Sequence, residues 1–157
     1  MSPRVQILHQ RFPMLAIVGR PNVGKSALFN RIVGRRKAVV LEVPGLTRDR
    51  NFEPAEWCGR QFTVADTGGY EVEGVETGAG PLKAEMREQA MLAIEEADVV
   101  VLLVDARDGV TPLDEEMLAI LRRSKKPILV AANKCDNAEQ EALAADFYRL
   151  GVERVFA

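Results

Sequence analysis

A disulfide framework, a secretory leader and a membrane span are all missing from this sequence. Its two cysteines, Cys58 and Cys135, are too few for the first, and no cluster of metal-type ligands accompanies either. Nothing reads as a cleavable leader, and no run approaches the ~20 apolar residues that crossing a bilayer takes. The expectation is a cytoplasmic protein with no membrane partner. Charge of one sign is missing too: 21 Lys and Arg stand against 23 Asp and Glu, a formal charge of −2, which argues against unaided binding to a polyanion such as RNA. No internal repeat or low-complexity tract interrupts the chain. What is present is 157 residues, 47% of them hydrophobic, enough for one domain with a real core. Residues 1–13 are polar and precede Met14, which opens an apolar run. They are expected to be an N-terminal appendage from an upstream start, with the domain over 14–157. The single histidine, His9, falls in that appendage and takes no role.

After Met14, short apolar runs alternate with amphipathic helical patterns, the signature of strand-helix-strand units around a mostly parallel sheet. Met14 to Val18 reads as a buried strand, followed by a glycine-rich turn and a helix with Leu28 and Ile32 on one face and Gly34 at its end. Phe52 to Cys58 and Gln61 to Ala65 flank Gly59-Arg60, which predicts a tight hairpin and one antiparallel edge strand. Val99 to Val104 and Ile128 to Ala132 are continuous apolar runs, as strands covered on both faces should be. Leu82, Met86, Ala90, Ala93 and Ala97 recur at helical spacing, as do Leu113, Met117, Ile120 and Leu121, and Glu139 to Leu150 is a third helical candidate. Loops are expected over Arg35 to Asn51, Gly68 to Pro81 and Ala106 to Pro112. The predicted fold class is α/β, in three layers, with helices on both faces of the sheet.

Gly19-Arg20-Pro21-Asn22-Val23-Gly24-Lys25-Ser26 matches G-x-x-x-x-G-K-S/T and lies between a strand and a helix, the context that motif requires. Its glycines let the backbone curl so that amides face a β-phosphate, where the helix N-terminus adds positive partial charge. Lys25 then neutralises β- and γ-phosphate oxygens, and Ser26 is placed to offer its hydroxyl to a bridging Mg²⁺. Ala27 continues the cradle. Asp66-Thr67-Gly68-Gly69 falls at the carboxyl end of a strand, where open α/β sheets place ligand chemistry. Asp66 can hold the metal through water, and Gly69 leaves an amide free to approach a γ-phosphate. Alone, this pattern is equally a turn aspartate with two flexible glycines. Asn133-Lys134-Cys135-Asp136 follows another apolar strand. A carboxylate at Asp136 accepts from both N1–H and the exocyclic amine of guanine, whereas adenine offers no such pair of donors. Thr47 stands in a loop with Pro44 and Gly45; it could coordinate Mg²⁺ and close the loop over GTP, or be an ordinary loop threonine. Arg48 and Arg50 default to solvated charges, and Arg31, Arg35, Arg36 and Lys37 complement a helix C-terminus without need of RNA.

Gly-Arg-Pro-Asn-Val-Gly-Lys-Ser, Pro-Gly-Leu-Thr-Arg-Asp, Asp-Thr-Gly-Gly and Asn-Lys-Cys-Asp occur in the order found in the translation-factor-like P-loop GTPases of bacteria, and the chain resembles that class from Met14 to its end. The Gly-Gly of the third motif and the segment Asp105-Ala-Arg-Asp-Gly-Val resemble more closely the first GTPase domain of the EngA (Der) family, which acts in ribosome assembly. The resemblance implies GTP hydrolysis with Mg²⁺, the large ribosomal subunit as partner, and a second GTPase domain and a C-terminal RNA-binding-like domain outside these 157 residues. Tyr70 stands where Ras-like switches place the glutamine that orients water. Similar GTPases lacking it use K⁺, held partly by a loop asparagine, and Asn22 occupies that position. The last motif, a Ser-Ala pair behind the guanine, is expected after the final strand around Val152 to Ala157, so the domain is expected to be truncated before it. Two other readings stay open: a guanine-nucleotide-binding regulatory module with negligible hydrolysis, and the G domain of a relative in tRNA modification or ribosome maturation. An ATP-dependent kinase on the same loop conflicts with Asp136.

Overall fold

The computed structural model describes residues 11–34, 52–67 and 84–157, with the main chain alone at 84–86 and 89. Six strands form one sheet: β1 (Met14–Val18), β2 (Phe52–Trp57), β3 (Arg60–Asp66), β4 (Val99–Asp105), β5 (Ile128–Asn133) and β6 (Val155–Phe156). Their order is β2-β3-β1-β4-β5-β6, parallel throughout except for β2, which runs antiparallel to β3 at one edge. The expected α/β class and its antiparallel edge strand are both borne out.

Alternation along the strands divides the core into two layers. Ala16, Val18, Val100, Leu102, Val104, Val130 and Ala132 face helices α2 (Ala84–Glu96), α3 (Pro112–Arg123) and α4 (Ala138–Ala144) with the turn after it, where Ile94, Met117, Leu121 and, in that turn, Phe147 close over them. Ile17, Val64 and Leu103 face the other way, onto Val23 and Phe29 around helix α1 (Lys25–Gly34). Val100, Leu102 and Val104 are fully buried, each contributing about 1.5–3 kcal/mol by leaving water. That burial fixes the face these side chains take, and parallel pairing with β1 and β5 sets the carboxyl end of β4 beside theirs.

Besides one-residue extensions of β3, β4 and β5, three segments differ from the sequence expectation. The hairpin turns on Cys58-Gly59, with Trp57 paired to Arg60, one residue before the expected Gly59-Arg60. Both turn residues have positive φ, 49° and 74°, as a two-residue turn of the hairpin-compatible type I′ needs. The expected helix over 139–150 is α4 followed by a 3₁₀ turn at Ala145–Leu150, ended by Gly151 at φ 74°. A six-residue 3₁₀ segment buries Phe147 and Leu150, spaced three apart to match its tighter period. The expected loop over 106–112 closes one residue early: Pro112 is the first residue of α3, behind Thr111, whose side chain accepts from the Asp114 amide. The expected loops over 35–51 and 68–81 lie outside the described residues, and with them Thr47, Gly69 and Tyr70. No helix among the described residues is long and apolar enough to cross a membrane.

Candidate functional site

β1 is where the chain reverses its direction of travel across the sheet, with β3 on one side and β4 on the other. Open α/β sheets bind ligands outside the carboxyl ends of the strands at such a point. Residues 19–26 leave β1 there and run into α1.

Two glycines make that path possible. A Cβ on Gly19 would lie 2.4 Å from the Leu103 carbonyl oxygen, main chain of the central strand, so the loop can lie against β4 only without one. Gly24 has φ 103°, and a Cβ there would meet Asn133 Nδ2 at 2.3 Å. Asn22 adopts φ 66°, a left-handed conformation that asparagine tolerates better than most residues. Lys25 is buried, and its Nζ donates to the Arg20 carbonyl at 2.8 Å. Ser26 Oγ donates to Asp66 Oδ2 at 3.0 Å. Asp66 is buried at the end of β3, and the next residue, Thr67, donates its hydroxyl to the Ile17 carbonyl at 2.9 Å, which ties the β3 end to β1. Ser26 and Asp66 thus bring two hard oxygen donors together at the mouth of the loop, a donor set suited to a divalent cation such as Mg²⁺.

The second half of the site leaves β5. Asn133 Nδ2 donates to the Val23 carbonyl at 2.8 Å, and Lys134 Nζ donates to the Asn22 carbonyl at 2.9 Å. Lys134 also meets Asp105 Oδ2 at 2.7 Å. Burial raises the Asp105 carboxyl, but hydrogen bonds from Lys134, the Arg107 amide and the Arg107 guanidinium outweigh it and hold it below its ordinary range. Asp136 is exposed, and its amide donates to Gln140 Oε1 at 2.7 Å, while Asn137 caps α4 by accepting from the Gln140 amide. These bonds hold the main chain at Asp136 and leave its carboxylate towards solvent. Cys135, between Lys134 and Asp136, has its thiol pushed up by burial and by Glu141, Asp136 and Asp105, which favours the thiol over the thiolate.

The structure therefore joins residues 19–26 to Asp66, Asn133 and Lys134. It adds four residues to which the sequence reading gave no role: Asp105, Asp108, Asp114 and Gln140. Asp108 accepts from Arg20 Nη2 at 2.6 Å. Asp114 is 1% exposed with Arg20 Nε 3.6 Å away. Burial drives its carboxyl up, against hydrogen bonds from Thr111 and the charge of Arg20. The signal that could have found Asp114 is Thr111-x-x-Asp114, the spacing of a capping box.

A phosphate loop after the first strand, with a base motif after the fifth and a carboxylate between them, defines a P-loop GTPase. The chain belongs to the 50S ribosome-binding GTPase family, whose model matches residues 14–134. It is 56% identical over 147 residues to GTPase Der of Myxococcus xanthus, covering 92% of this chain and 31% of that protein. It is 53% identical over 139 residues to GTPase Der of a Geobacillus species, covering 88% of this chain and 31% of that protein. The expected kinship with Der is borne out. The chain spans about a third of the length of these curated relatives. Among solved structures, Aquifex aeolicus Era bound to GDP and AlF4⁻ is similar at 28% identity and TM-score 0.65, over 91% of this chain and 49% of that one. Era bound to MgGDPNP and a 16S ribosomal RNA segment is similar at 30% identity and TM-score 0.67, over 93% and 50%.

Proposed function

We propose that this chain binds GTP and GDP, hydrolyses GTP to GDP and phosphate, and serves as the switch of a larger cytoplasmic protein acting in assembly of the large ribosomal subunit. The observation that carries the reading is the pair of hydrogen bonds from Asn133 and Lys134 to the Val23 and Asn22 carbonyls, which joins base motif and phosphate loop into one site. The family description supports the large-subunit role, and the Era complexes with guanine nucleotide support the ligand.

In this reading the amides of residues 19–26, with Ala27 behind them, receive the β-phosphate, and Lys25 neutralises β- and γ-phosphate oxygens. Asp136 accepts from the guanine edge. Ser26, Thr47 and Asp66 would hold Mg²⁺, which supplies charge neutralisation at the transferring phosphoryl group. Asn22 would help hold K⁺ in place of a water-orienting glutamine, and Gly69 would present its amide to the γ-phosphate. A second GTPase domain and a C-terminal RNA-binding-like domain would make the ribosomal contact, consistent with relatives about three times as long. Phosphate release from GTP, in K⁺ and in Na⁺, tests hydrolysis, and competition against a fluorescent GDP analogue tests the base. GDP should displace the analogue at concentrations ~100-fold or more below ADP, because adenine leaves the Asp136 carboxylate unpaired. Equal competition by ADP, or no phosphate release above background, refutes the reading.

A further inference from the structure

Arg20 lies inside the phosphate loop, yet its side chain runs to the segment between β4 and α3. Its Nη2 donates to Asp108 at 2.6 Å, and its Nε faces Asp114 Oδ1 at 3.6 Å. Among the described residues, these two atoms, Arg20 Nε and Asp114 Oδ1, are the buried side-chain polar atoms without a hydrogen-bond partner. They are oppositely charged and face one another. Asp114 Oδ2, by contrast, is fully engaged, accepting from the Thr111 amide and hydroxyl at 3.0 and 2.9 Å.

Helix capping accounts for one oxygen of Asp114 and not for the other. A capping carboxylate works at the surface, where water solvates its free oxygen. Burying that oxygen is costly unless a cation meets it, and the cation it meets comes from the phosphate loop. The same residue carries the carbonyl that receives Lys25 Nζ at 2.8 Å. Holding the Arg20 side chain therefore holds the peptide on which the phosphate lysine rests.

We propose that Asp114, seconded by Asp108, is a positioning residue for phosphate binding: it clamps Arg20 from the first turn of α3 and so keeps loop 19–26 shaped for the nucleotide. The proposal rests on the reading of 19–26 as the phosphate site. The loop grips the phosphates before and during transfer alike, so loosening it weakens ground state and transition state together. KM rises while kcat holds.

The test measures GTP turnover, GDP affinity and thermal stability for the wild type, Asp114→Asn, Arg20→Met, their double mutant and Thr111→Ala. Asp114→Asn should raise KM for GTP and Kd for GDP about tenfold, with kcat within about twofold. Arg20→Met should do the same, and the double mutant should be no worse than either single, because both cut one clamp. Thr111→Ala removes the two bonds of its hydroxyl, from the Asp114 amide and to Asp114 Oδ2, but keeps the Thr111 amide on Oδ2 and leaves Asp114 Oδ1 facing Arg20, so it should lower Tm and leave KM unchanged. A merely structural Asp114 would behave like Thr111, lowering the folded fraction and hence apparent kcat at constant KM. That outcome, or single-mutant effects that multiply in the double mutant, overturns the clamp. If Asp114→Asn does not fold, Arg20→Met decides alone: an unchanged KM sinks the proposal. A wild type that fails to bind GDP sinks the nucleotide reading and the clamp with it, whereas normal wild-type binding with unaltered variants sinks the clamp only.

Discussion

Replacing Gly24 by alanine should cost more than backbone strain, and the excess should vanish when Asn133 is shortened. At φ 103° a residue with a Cβ is strained, at a cost of about 1–2 kcal/mol. The new methyl would also fall 2.3 Å from Asn133 Nδ2. The amide must then swing away and lose its 2.8 Å bond to the Val23 carbonyl, which adds about 1–2 kcal/mol for the bond and the carbonyl left without a partner. Gly24→Ala should therefore destabilise the wild type by about 2–4 kcal/mol, but an Asn133→Ala background by only about 1–2 kcal/mol. Urea unfolding of the four proteins, without nucleotide, yields the coupling directly as the difference between those costs. Equal costs in the two backgrounds would refute the contact, and a wild-type loss below about 0.5 kcal/mol would refute the strain as well.

Lys25→Ala should reduce kcat/KM for GTP by about 10²–10³-fold, the usual loss when a charge aimed at a transferring phosphoryl group is removed; phosphate release within threefold of wild type would contradict the role of Lys25. Asp105→Asn should cost about 1–3 kcal/mol at pH 7 by leaving Lys134 without its carboxylate. Because the folded state holds the Asp105 carboxyl below its ordinary 3.8, its contribution is fully present above that value and is lost as pH falls through the folded one. The stability gap between wild type and Asp105→Asn should thus close on acidification below about pH 3.8, and a gap that stays constant would count against the ion pair. GTP turnover should be faster in K⁺ than in Na⁺, and Asn22→Ala should remove that difference; equal wild-type rates exclude a K⁺ site at Asn22.

Much of this architecture is legible in the chain because its signals are local and agree with each other. The apolar runs at 99–104 and 128–132 are strands buried on two faces, and the eight residues from Gly19 to Ser26 declare a turn between strand and helix. The hairpin was legible as a hairpin but not to the residue: Cys58 lacks the left-handed preference of Asn or Asp, so nothing in Trp57-Cys58-Gly59-Arg60 marks it as the first turn residue. The split of 139–150 into α4 and a 3₁₀ turn was hidden because a three-residue spacing, Phe147 to Leu150, fits both periods. Asp105, Asp108 and the pairing of Asp114 with Arg20, as distinct from its capping of Thr111, were illegible for a different reason. Each of the three is an acidic residue next to a turn, which reads as solvated, and its importance comes from a partner far away in sequence, as with Arg20, 88 residues before Asp108. Long-range pairing of that kind leaves no periodicity.

The phosphate loop and the base motif do not keep separate shapes. Val23 and Asn22 present their carbonyls to Asn133 and Lys134, and Gly24 yields its side chain's space to Asn133. Lys134 in turn reaches Asp105 at the end of β4, while the segment that follows reaches back through Asp108 and Asp114 to Arg20. The contacts form a closed circuit: loop to β5, β5 to β4, β4 to α3, and α3 to loop. In a circuit, cutting one link leaves the others holding a distorted neighbour, so losses do not add as they would for independent sites. The proposed clamp, a buried carboxylate on α3 bearing on a phosphate it does not touch, would act through this circuit. The circuit is also why recognition of the base and recognition of the phosphates should stand or fall together in this domain, even though their motifs lie more than a hundred residues apart.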